Sequence, residues 1–291
     1  MFTPSINIEP FVTSSLGMGC KTFSPAQMVV LKLMAGEPLD DNAGKVRIPV
    51  DPLDPNGGSI LFTEQGFLEY LQAQGRAHLN SSSKPAGVVL LAGRRSGKTS
   101  ILSMKMFYDL SVVLDTNDFQ KVMRRNPTAR FTFTSDHGSY GIAGKHHEAM
   151  MKDTWLGSKR VPRNSTQTRF ETGSDNKAIV SYSTNAPLRG YTNILGAYVD
   201  EAISSKNFSY GEYRSYVKKY PNCQFFVAAS PNGQDKTAKA MFDDAKSSDD
   251  ILGLSLHTWE LNPIIPNSVY QEENSQRGNL LTYASEPSYW G

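Results

Sequence analysis

The sequence predicts an α/β fold on a mostly parallel central sheet, with one added β-hairpin. Three observations carry that prediction. From Gly87 onward, apolar runs of strand length alternate with helix-like segments, as helical crossovers between parallel strands require. The first run, "GVVLLAG" (87–93), contains no polar side chain, as expected of a strand covered on both faces. It leads into the glycine-bearing loop "AGRRSGKT" (92–99) and then into "SILSMKMFYDLSVVL" (100–114), which reads as a helix.

Residues 1–80 read as an entry module. In "FSPAQMVVLKLMAG", Ser24 caps a helix, Pro25 suits its first turn and Gln27 completes an S-x-x-Q capping box. "KVRIPVDPLDPNGGS" is a strand running into turns, and its acidic residues lack the order of a calcium loop. "TEQGFLEYLQAQG" is a short helix, and "NSSSKPAG" a linker. The core spans 81–260, with strands expected at 87–92, 130–135, 178–184, 194–200, 224–230 and 251–258. Helices are expected at 100–114, roughly 139–156, and 210–219. "QTRFETGSDNKAIVSYS" (167–183) breaks the alternation and reads as a hairpin turning at "TGSDN". Residues 261–291 form a C-terminal lid or linker.

Composition removes several function classes. No stretch approaches the about 18 apolar residues of a membrane span, and the first residues lack the blocks of a signal peptide, so neither membrane insertion nor secretion is expected. Cys20 and Cys223 have no metal-site spacing. A net charge of +2 permits nucleic-acid contact without indicating a dedicated basic face, and the clusters at 121–130 and 216–220 read as solvated surface. "HHEAMM" lacks the second histidine of H-E-x-x-H; His137, His146 and His147 read as polar positions, the last two on a helix.

The chemistry is concentrated in the loop and in two strand ends. A-x-x-x-x-G-K-T is the Walker A pattern with Ala92 in first place. Lys98 is placed for the β- and γ-phosphates of ATP, and Thr99 offers a hydroxyl to Mg2+. Backbone amides across Gly93, Arg94, Arg95, Ser96, Gly97 and Lys98, with Ser100 in the first helical turn, supply the anion cradle. "NILGAYVDEAI" (193–203) ends an apolar strand in Asp200 and Glu201, a Walker B arrangement in which Asp200 holds magnesium through water and Glu201 polarises an attacking water. Together these predict a three-layer P-loop nucleoside triphosphatase of the ASCE type. Arg94, Arg95 and Arg189 are candidate charge stabilisers, Arg189 in its own site or across to a neighbouring subunit, and each is equally readable as a salt-bridge partner. "FFVAASPNG" ends a strand at Ser230, where hydrolysis would be sensed.

Taken in order, these pieces resemble the ATPase part of the large terminase subunit of tailed bacteriophages. The matching stretches are "AGRRSGKT", "TGSDNKAIVSYSTNAPLRGYT", "AYVDEA", "ASPNG" and "HTWELNP", covering about Ala92 to Pro263, with "FSPAQ" resembling the family's adenine-binding glutamine motif. The resemblance implies a motor that moves double-stranded viral DNA into a procapsid. It would act as a homo-oligomeric ring, a pentamer by family likeness, with the portal protein and the small terminase subunit as partners. Its place would be the host cytoplasm and, transiently, the portal vertex. The resemblance also assigns catalysis to Asp200 and Glu201, adenine contact to Gln27 and coupling to Ala228, Ala229 and Ser230. Two departures stand out. Ala228 replaces the usual hydroxyl residue at the start of the coupling motif, and no aspartate cluster of a ribonuclease-H-like nuclease follows "TWELNP", so no DNA cleavage is expected from these 291 residues. A helicase-like or recombination ATPase and a nucleotide-dependent assembly module are the alternatives.

Overall fold

The computed structural model describes residues 7–263 except 16, 52–53, 55, 80–83, 116–127, 136–142, 162–166, 172–176, 184–192, 204–208, 221–222 and 232–235. These form two compact units, 7–22 with 99–228 and 23–98 with 229–263.

In chain order, α1 (Ile8–Thr13) precedes α2 (Pro25–Ala35), which starts with the expected reciprocal cap. Ser24 Oγ accepts the Gln27 N–H at 3.1 Å, and Gln27 Oε1 accepts the Ser24 N–H at 2.9 Å. Gly36, in the left-handed region at φ 71°, ends the helix. β1 (Val46–Pro49) pairs antiparallel with β2 (Ser59–Phe62), and α3 (Glu64–Ala73) follows. Lys32 of α2 donates to both oxygens of Glu64 at 2.9 Å, tying α2 to α3 through a buried ion pair. Then come β3 (Ala77–His78), β4 (Gly87–Ala92), α4 (Lys98–Asp115), β5 (Thr128–Thr134), α5 (Ala143–Met151), α6 (Trp155–Ser158) and β6 (Arg160–Val161). They are followed by β7 (Gln167–Glu171), β8 (Lys177–Ser183), β9 (Ile194–Val199), α7 (Tyr210–Val217), β10 (Gln224–Ala229), α8 (Lys236–Lys246), β11 (Ile251–Leu256) and α9 (Thr258–Leu261).

In the unit built on 99–228 the strands run β10-β9-β5-β8-β7-β6. β10/β9, β9/β5 and β5/β8 are parallel, and β8/β7 and β7/β6 are antiparallel. The expected hairpin is therefore present, with Gln167 opposite Ser181 and Glu171 opposite Lys177. In the other unit β11 lies between β4, to which it is parallel, and β3, to which it is antiparallel. All six residues of β4 and of β11 are buried, and α8 packs on both strands. Val88, Val89, Leu90 and Leu91 are at most 1% exposed. Burying each such side chain contributes about 1.5–3 kcal/mol before the cost of ordering the chain.

The α/β class holds, and the core strands fall within two residues of their expected places, but four local expectations change. The helix expected over 139–156 is two helices. Asp153 turns left-handed at φ 64° and Thr154 caps a new start through its Oγ1, which accepts the Gly157 N–H at 3.1 Å. The strand expected to reach Thr258 stops at Leu256, and 258–261 is one helical turn. Glu260 Oε2 accepts the His257 N–H at 2.7 Å and bends the chain there. Helix α8 was not foreseen, although Ala238, Met241, Phe242 and Ala245 line its buried side at helical spacing. His147 is fully buried, whereas His146 is exposed as expected.

Candidate active site

The loop between β4 and α4 gets its shape from three side chains of its own unit. Thr258 Oγ1 donates to the Arg94 carbonyl at 3.0 Å, Asn262 Nδ2 to the Arg95 carbonyl at 3.0 Å and Gln27 Nε2 to the Ser96 carbonyl at 2.8 Å. Three consecutive carbonyls are thus held outward. In a trans peptide the N–H points opposite to the C=O, so the amides of Arg95 and Gly97 face away from the clamp, while the Ser96 N–H donates to the Gly93 carbonyl at 3.4 Å. Such a backbone can serve as an anion-binding nest. The glycines make the close approach possible. A Cβ on Gly93 would lie 2.0 Å from Thr258 Oγ1, and one on Gly97, at φ 90°, would lie 2.4 Å from Gln27 Nε2. Arg95 itself is left-handed at φ 61°. The side chains of Arg94 and Arg95 are exposed.

Lys98 is 4% exposed and donates to the Gly93 carbonyl at 3.1 Å and to Ser230 Oγ at 2.7 Å. Ser96 Oγ is buried and has no hydrogen-bond partner among the described residues. A buried hydroxyl left unpaired costs about 1–3 kcal/mol, and an anionic oxygen in the nest would remove that cost. The loop therefore fits a phosphate.

In the other unit, β9 delivers the acidic pair. Asp200 is 3% exposed; its Oδ2 accepts the Thr99 hydroxyl at 2.6 Å and its Oδ1 accepts the Glu201 N–H at 3.1 Å. The strand end is pinned on both sides, Asp200 N–H to the Thr134 carbonyl at 2.8 Å and Ala202 N–H to the Ala228 carbonyl at 3.1 Å. Glu201, half-buried, sits in the left-handed region at φ 50°. A non-glycine residue held there stores on the order of 1–3 kcal/mol of strain. A hydroxyl and a carboxylate in contact are a hard-oxygen pair suited to magnesium, which takes its remaining ligands from water and phosphate. Among the described residues no group of three or more His, Cys, Asp or Glu is placed to hold a metal on its own.

The structure thus puts Lys98 with Ser230, Thr99 with Asp200, and Ala228 against the residue after Glu201. Ala92 and Ala229 are buried backbone positions and Ser100 lies in the first turn of α4. Gln27 both caps and clamps. Arg189 with the rest of 184–192, His137, and the segment from 264 on lie outside the described residues. The clamp formed by Thr258 and Asn262 escapes sequence reasoning, although both residues lie in "HTWELNP"; a motif that supports a loop from behind has no chemistry of its own to announce it. Behind the clamp, Arg76 and Glu260 form a buried bidentate pair at 2.8 and 2.5 Å, and burial together with the Arg76 charge lowers His257 to about 4.

No protein-family model matches this sequence, and no curated protein matches it. Solved structures similar to it include the large terminase of a thermophilic bacteriophage in complex with ADP (13% identity, TM-score 0.47, 68% of this chain and 47% of that one). Others are the large terminase ATPase domain of Thermus phage P74-26 (14% identity, TM-score 0.45, 74% and 94%) and the large terminase of bacteriophage HK97 (14% identity, TM-score 0.44, 72% and 43%). The chain spans about half the length of the first of these large terminases.

Proposed function

We propose that this chain hydrolyses ATP, and that it is the ATPase part of a large terminase, driving double-stranded DNA into a viral procapsid. The observation that carries the ATPase reading is the nest of amides leading into Lys98 and Thr99, combined with the bond from Thr99 to Asp200. Lys98 pairs with the terminal phosphates and, in doing so, exchanges its bond to Ser230. Thr99 and Asp200 would hold Mg2+, which when bound neutralises charge building up on the phosphoryl oxygens. Glu201 orients the attacking water and takes its proton on a carboxylate oxygen. Arg94 and Arg95 are exposed at the loop and free to turn onto the γ-phosphate; Arg189 serves as a further stabiliser, in its own site or a neighbour's.

The packaging role rests on the motif order from "AGRRSGKT" to "HTWELNP". With it come the partners: duplex DNA, a portal protein, a small terminase subunit and other copies of this chain in a ring at the portal vertex. Among the described residues no helix is long and apolar enough to cross a membrane.

Steady-state ATP hydrolysis, with and without duplex DNA, tests the reading. Glu201→Gln should keep ATP binding and lose turnover by about two orders of magnitude or more, and Lys98→Ala should lose binding. If all three proteins behave alike, a nucleotide-dependent assembly module replaces the motor. DNA-stimulated turnover accompanied by strand separation would instead select the helicase-like reading.

A further inference from the structure

Three buried side chains lead from the core to the carbonyl of Thr99, and their hydrogens all run one way. Ser103, one turn along α4, donates its hydroxyl to the Thr99 carbonyl at 2.6 Å. A hydroxyl has one proton, so Ser103 Oγ must accept from His147 Nε2, 2.8 Å away. The ring is therefore protonated at Nε2, and its Nδ1, 3.0 Å from the Tyr182 hydroxyl, accepts in turn. The direction is Tyr182 to His147 to Ser103 to Thr99. Ser103 and His147 are 0% exposed and Tyr182 is 5% exposed. Phe107 and Phe133 stand edge-on to the imidazole at 5.1 and 4.6 Å. Burial, with the neighbouring His146 charge second, lowers His147 to about 3, so the ring is neutral at any ordinary pH.

Resting on the ATPase reading above, we propose that Ser103, His147 and Tyr182 are positioning residues that orient Thr99 for magnesium. Thr99 is β-branched and has few rotamers, so the setting of its backbone decides where its hydroxyl points. The relay bonds that backbone at the carbonyl while the hydroxyl meets Asp200. A satisfied core histidine would only stabilise the fold. A relay that orients a metal ligand also tunes the metal, as outer partners of metal ligands generally do.

The experiment compares wild type with three variants, each checked for folding by its thermal melt. His147→Leu removes both ring bonds, His147→Gln retains one donor and one acceptor, and Tyr182→Phe removes only the hydroxyl. The readouts are the Mg2+ dependence of kcat and of KM for ATP, and imidazole 15N shifts in the nucleotide-free wild type. His147→Leu should need about tenfold more Mg2+ or beyond, Tyr182→Phe should shift less in the same direction, and His147→Gln should restore most of the loss. The 15N shifts should report a neutral ring protonated at Nε2. If His147→Leu fails to fold, Tyr182→Phe decides the matter. Folded, active variants with an unshifted Mg2+ requirement, or a ring protonated at Nδ1, overturn the relay alone. A wild type that hydrolyses no ATP overturns the ATPase reading and the relay's role with it.

Discussion

Gln27 uses both ends of its carboxamide. Oε1 closes the cap of α2 on the Ser24 N–H at 2.9 Å, and Nε2 holds the Ser96 carbonyl at 2.8 Å. The same residue that starts a helix therefore shapes the phosphate loop 69 positions later. A side chain acting on the loop should affect every nucleotide alike, whereas one reading adenine should discriminate. Gln27→Ala is expected to raise KM for ATP and GTP by the same factor and to cost about 1 kcal/mol of stability through the lost cap. A selective loss of ATP would instead support the adenine contact that the family resemblance assigns to Gln27.

Glu201 combines strain with chemistry. At φ 50° glycine is at ease and glutamate is not. Glu201→Gly should abolish turnover while leaving the protein as stable as wild type or up to about 1 kcal/mol more stable, because relief of strain outweighs the added chain entropy. A chemical denaturation midpoint read beside the ATPase rate checks both halves. A clear loss of stability would mean that the carboxylate supports the fold.

Acid should unfold this protein through its histidines. In the native state His147 is lowered to about 3 and His257 to about 4, whereas both titrate near 6.5 when unfolded. Between those values the unfolded chain binds protons that the native one refuses. Stability is therefore whole above pH 6.5 and falls as pH drops through the window. For His147 alone the full window amounts to on the order of 5 kcal/mol. His147→Gln should flatten the acid arm of a stability-against-pH curve, and an unchanged slope would count against the buried neutral ring.

The pair behind the clamp should be costly to break and cheap to replace. Arg76 and Glu260 are 8% and 1% exposed. Arg76→Ala leaves a buried carboxylate without its counter-charge, for about 3–5 kcal/mol, while Arg76→Met combined with Glu260→Leu should lose much less. Urea midpoints of the three proteins settle the comparison. Equal losses in the single and double variants would mean that the pair itself, rather than the orphaned charge, carries the stability.

Patterns that are local in the chain were legible. The strand, loop and helix from Gly87 to Leu114 are read from one apolar run and two glycines, and the cap at Ser24 from four residues. Asp200 and Glu201 stood out because an apolar strand rarely ends in two carboxylates. What escaped were relations across the chain. Thr258 reads as a strand end, and nothing near it or Asn262 in the sequence points to the Arg94 and Arg95 carbonyls that they hold. His147 sits beside His146 in a polar-looking stretch, and only the fold reveals that it faces Ser103 and Tyr182. The break at Asp153 depends on a left-handed backbone that an aspartate tolerates without advertising.

The clamp has a consequence for synthesis. The phosphate loop is held by Gln27 near one end of the described chain and by Thr258 and Asn262 near the other. A nascent chain that has emerged only as far as Ser230 already carries every Walker residue, yet lacks two of the three donors that turn the loop carbonyls outward. Nucleotide competence should therefore arrive abruptly and late on the ribosome, once Asn262 has cleared the exit. Until then the half-made protein would be an idle one, unable to consume ATP before its fold is complete.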